Sequence, residues 1–148
     1  MTVDPRRIIE HVHGHLGWLA VAALIHPAVV LRDRARRAHL AVGLATGLLT
    51  VAAGLGARLY VDYREALRRS VFLSSPTIGL LMERKEHLAF GAVVLGWAGA
   101  AAYVGARWSE GELRASLRTV AFRAYVGAAI LAAVVAVLGT VVAVHRSF

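Results

Sequence analysis

The chain contains no cysteine. Disulfides, thiolate metal sites, iron–sulfur clusters and covalently attached haem are therefore excluded. Proline is scarce, with Pro5, Pro27 and Pro76 the three in 148 residues. Acidic side chains are outnumbered, nine Asp and Glu against seventeen Lys and Arg. No HExxH pair, nucleophile–base arrangement or phosphate-binding glycine loop is present, which leaves hydrolase chemistry without a foothold.

What the sequence does have is apolar length. Hydrophobic residues make up 58% of the chain and its mean hydropathy is +0.61. A soluble domain has roughly 45–50% apolar residues. The apolar residues gather into four long runs with charged punctuation between them, which is the pattern of membrane-spanning helices. The length fits one domain. The net charge of +8 sits at the ends of the apolar runs, so it reads as headgroup anchoring to a lipid bilayer and gives no footprint for nucleic acid. The expected fold is an all-α, four-helix transmembrane bundle with spans at about 8–31, 38–60, 87–106 and 120–144.

Between spans 2 and 3, Asp62 to Ser74 is amphipathic and predicts a short helix lying in the membrane interface. Ser74-Ser75-Pro76-Thr77 breaks it. Ser109 and Glu112 have the spacing of a capping box, so the fourth helix should begin near Glu110. The basic N-terminus precedes an apolar run, but no small-residue cleavage site follows, and the run is read as a mature helix. Four crossings put both termini on one side, here called side A. Arginines concentrate in the two short loops of side B, which points to a cytoplasmic side B, non-cytoplasmic termini and a bacterial inner membrane as the setting.

Seven histidines are distributed along these runs. Three fall within five residues, in Glu10-His11-Val12-His13-Gly14-His15. At about 100° per residue, His11, His15 and His26 lie within about 60° of one another on a helix, with Trp18 beside them, while His13 points the other way. Ionisable groups inside a bilayer segment are functional candidates by default. A partial repeat adds to the pattern: His39-Leu40-Ala41-Val42-Gly43 opens the second span and His87-Leu88-Ala89-Phe90-Gly91 the third. In each, glycine follows histidine by four residues on the same face, giving a ligand nitrogen with room beside it for something flat. His15 and His87 lie towards side A, and His26 and His39 towards side B.

In its four spans and in the placement of His15, His26, His39 and His87, the chain resembles the four-helix membrane cytochromes of b type, the cytochrome b561-like proteins. The resemblance covers the layout and no long motif. It implies haem b, two per chain, held by paired histidines: His15 or His11 with His87 on side A, and His26 with His39 on side B. Gly43 and Gly91 would make room for the macrocycles. Boundary arginines such as Arg58 and Arg36 would pair with haem propionates. The implied activity is electron transfer, with quinol or a redox subunit as partner.

Two other readings of the same residues stay open. Glu10 with His13, and Glu83 with His87, have spacings that place two ligands near one metal; with His145 they suggest a non-haem zinc, copper or iron site on side A. Alternatively the protein holds no cofactor and is an accessory or proton-handling subunit whose histidines titrate near neutral pH. A homo-oligomer is compatible with any of these.

Overall fold

The computed structural model describes residues 5–33 and 37–145. They form helix α1 (Pro5–Val30), α2 (His39–Asp62), a π-helical turn (Tyr63–Leu67), α3 (Arg68–Ser74), α4 (Pro76–Arg107) and α5 (Gly111–His145). No strand occurs among the described residues. The protein is an all-α four-helix bundle, and its four long helical segments are each long and apolar enough to cross a membrane. Helices suit that setting because they satisfy every backbone group within one segment.

The helix ends follow local chemistry. Ser75 is extended and its hydroxyl accepts from the Ile78 amide at 3.5 Å, with Pro76 in the first turn, so α4 starts at a conventional N-terminal signal. The start of α2 has no side-chain cap of its own. Instead the Ala38 amide donates to the Tyr103 hydroxyl of α4 at 2.8 Å. Gly111 adopts φ 55° at the tight turn between α4 and α5, a conformation that a residue with a Cβ rarely takes. The capping box expected at Ser109 does not form. The Ser109 hydroxyl donates back to the Gly105 carbonyl at 2.9 Å and closes α4.

Two boundaries also differ from expectation. The stretch after Tyr60 is no separate connection: the helix continues through the π-helical turn to Ser74. The third long helix begins at Pro76, eleven residues before His87, so Ile78 to Met82 belong to it.

Helix α1 packs on α2 and α5, and α4 packs on α5 and α2, with α4 against α5 the most extensive contact. Small residues let these helices approach. A Cβ on Gly99 would lie 2.9 Å from the Tyr125 ring, and one on Gly96 would lie 2.7 Å from Leu49. The main core is built from Leu24, Ala45, Leu49, Ala92, Ala121, Tyr125 and Ala128 with their neighbours. Tyr125 crosses it, its hydroxyl 2.6 Å from Thr46 Oγ1 on α2. Outside, Leu40, Leu44, Phe90, Trp97, Val104, Ile130 and Val137 are exposed. Such an apolar exterior suits lipid rather than water.

Candidate functional site

Of the histidines with described side chains, His13 turns inward; the others are exposed. Its ring lies against α2, where Ala52 and Gly56 are four residues apart and share a face. Nδ1 is 3.0 Å from the Ala52 carbonyl oxygen. A carbonyl can only accept, so Nδ1 carries the hydrogen and Nε2 remains the position at which a proton is gained or lost. Gly56 makes the slot possible, because a Cβ there would stand 2.9 Å from His13 Cε1.

Helix α4 brings charge to the same interior. Lys85 is 8% exposed, and its Nζ lies 3.0 Å from Glu86 Oε1. Its aliphatic stem passes α5 at Gly139, where an added Cβ would be 3.8 Å from Lys85 Cδ. Among the described residues, Lys85 and Glu86 are charged side chains within electrostatic reach of the His13 ring. All four long helices therefore contribute: α1 the imidazole, α2 the carbonyl and glycine, α4 the ion pair, α5 the surface for the lysine stem. A lysine this far from water is rare unless paired. Glu86 supplies that partner and is the less buried of the two.

The rim on that side is polar and ordered. The Tyr60 hydroxyl donates to Glu83 Oε2 at 2.8 Å, and Arg68 Nε donates to Glu83 Oε1 at 2.9 Å. Tyr60 stacks on buried Tyr63, with ring centroids 5.8 Å apart. Glu83 thus joins the end of α2, the start of α3 and the first turns of α4.

The residues singled out from sequence are placed as follows. His11, His15 and His26 do share a face with Trp18, and that face is the exterior of α1. His39 is exposed at the start of α2. His87 is exposed too, its Nδ1 2.7 Å from the Glu83 carbonyl oxygen. The two His-Leu-Ala starts are not equivalent in surroundings. Gly43 has nothing near it, whereas a Cβ on Gly91 would lie 3.2 Å from Leu131 of α5. Arg58 pairs with Asp62 at 2.8 Å on the surface. Arg36 lies outside the described residues, as does the side chain of His145.

Hence a single copy does not gather these histidines around an interior haem site. Two clefts, of about 460 and 210 Å³, are lined by arginines with Phe72 or Phe122 and by no histidine. Glu10 is exposed and Glu83 is committed to Tyr60 and Arg68. Among the described residues, no three His, Asp or Glu side chains are grouped as a metal site requires. Lys85 precedes the third span expected from sequence at 87–106, so spacing alone gives it no place inside a helix. The Ser75-Pro76 start signal places Lys85 well inside a helix.

Comparison of the chain with protein-family models, with curated proteins and with solved structures gives no significant match.

Proposed function

We propose that this is a small integral membrane protein that handles protons, with His13 as the group that takes them up and releases them. The Lys85–Glu86 pair sets the field around the ring. One observation carries the reading: His13 is fixed through Nδ1 to Ala52 in a slot made by Gly56, near the buried Lys85 and its partner Glu86, which leaves Nε2 free to exchange a proton. The hydrogen bond at Nδ1 survives either protonation state, so exchange costs no rearrangement of the bundle. Imidazole is the side chain whose charge changes near neutral pH. Ionisable groups at membrane depth are costly to retain without such a use.

The test is proton flux into proteoliposomes carrying the full chain and a trapped pH-sensitive dye, driven by a potassium diffusion potential. Wild-type vesicles should acidify at least about tenfold faster than protein-free ones, and His13→Gln and Lys85→Met should return the rate to that baseline. Wild-type flux at the protein-free rate, or undiminished flux in both variants, would overturn the proposal.

A second reading, electron transfer by b-type haem with a quinol or redox subunit as partner, is favoured by the exterior stripe of His11, His15 and His26 beside Trp18. With these side chains outward, paired ligation would draw histidines from two copies. Dithionite-reduced protein should then show sharp α and β bands that His15→Ala removes. A colourless protein sinks this reading.

A further inference from the structure

From the cleft at the end of α2 we infer a second site, independent of the proton-handling centre: a seat for the phosphate of an anionic phospholipid. The cleft holds about 460 Å³ and is lined by Arg64, Arg68, Arg69, Phe72 and Leu73. Three guanidinium groups within six residues are a strong attraction for phosphate, which they bind by charge-assisted, often bidentate bonds.

The site is built rather than merely basic. Arg68 is fixed from two sides, by Glu83 at 2.9 Å and by the Phe72 ring, whose centroid is 5.3 Å from the guanidinium carbon. Phe72 is fixed in turn by Gly79 of α4, where a Cβ would lie 2.7 Å from the ring. A π-helical turn, Tyr63–Leu67, borders the cleft, with Tyr63 buried and Arg64 and Arg68 exposed. Such turns occur disproportionately at functional sites.

The nearby acids do not neutralise the cleft. Asp62 pairs with Arg58, Glu83 is taken by Arg68 and Tyr60, and Glu86 by Lys85, while Glu65 is exposed and does not line the cleft. Arg64 and Arg69 have no ion pair among the described residues and carry the unspent charge.

Lipid rather than free phosphate is indicated by the apolar wall. Leu73 is 77% exposed and lines the cleft beside the arginines. A soluble anion would leave that leucine uncovered, whereas a phospholipid places phosphate on the guanidinium groups and its first acyl carbons on Leu73 and Phe72. The position, at one end of helices long enough to cross a bilayer, matches headgroup depth.

Native mass spectrometry of the full chain in detergent tests the assignment, with phosphatidylglycerol and phosphatidylcholine of the same acyl chains as probes. The wild type should retain phosphatidylglycerol at least about tenfold better than phosphatidylcholine. The double variant R64Q/R69Q should lose that preference with unchanged helicity by circular dichroism, and Leu73→Ser should weaken retention. R32Q/R123Q, at the opposite cleft, should keep the preference. The inference is overturned if R64Q/R69Q keeps it, or if R32Q/R123Q removes it equally. Displacement of the lipid by millimolar inorganic phosphate would overturn it in favour of a soluble anion.

Discussion

At the end of the bundle where α2 begins, Tyr103 and Tyr125 join helices through neutral hydroxyl groups, whereas at the end where α2 finishes, His13, Lys85 and Glu86 bring ionisable groups into the interior. The two ends solve the same packing problem. In each, a small residue on one helix admits a ring from another: Gly99 receives Tyr125, and Gly56 receives His13. The tyrosine end uses its polar atoms to satisfy backbone and hydroxyl partners, and nothing there has to change charge. The histidine end has an atom, Nε2, with no structural duty. A buried polar group without a structural duty is where function is to be sought.

Substitutions can break or sharpen that contrast. The largest effect is expected from Tyr125→Ala. It empties a fully buried site and should cost about 3–5 kcal/mol, seen as a marked drop in the thermal midpoint in detergent. Gly56→Ala comes next. Its Cβ must push the His13 ring from the slot, at about 1–3 kcal/mol for overpacking, and proton flux should fall along with the midpoint. Tyr125→Phe keeps the ring and removes the bond to Thr46, so its loss should be about 1 kcal/mol or less, with flux unchanged.

Lys85→Met is expected to move stability least. Removing one partner of a buried ion pair is costly when the other charge stays buried, but the Glu86 side chain is 20% exposed and can rehydrate once Lys85 is gone, which keeps the loss small. A thermal midpoint close to wild type together with lost flux would separate the two ends cleanly. A midpoint drop as large as that of Tyr125→Ala would show instead that the ion pair is a structural clamp.

Much of the fold could be read from the chain, because four apolar runs bounded by arginines leave few alternatives. The face of α1 that carries His11, His15 and His26 was also readable from helical period. Whether that face turns in or out was not. In a soluble protein an apolar face must be buried, but in a bilayer lipid is as apolar as the core, and hydrophobicity no longer distinguishes them. Direction is set by steric complementarity instead: Ala52 and Gly56 of α2 accept the His13 ring, and nothing in α1 alone announces that. Lys85 was hidden for another reason. Counting a span from its last charge places any lysine at the boundary, whereas the Ser75-Pro76 signal starts the helix about three turns before His87.

The wide turn at Tyr63–Leu67 has a consequence for how this helix tolerates length change. A π-helical turn holds one residue more than the α-helical ladder on either side, so it marks where a single residue has been absorbed without breaking the rod. Deleting Ala66 would restore an unbroken α-helix and rotate everything beyond it by about 100°. Arg68 would swing off Glu83 and Phe72 away from Gly79, uncoupling α3 from α4 while leaving the stack of Tyr60 on Tyr63 in place.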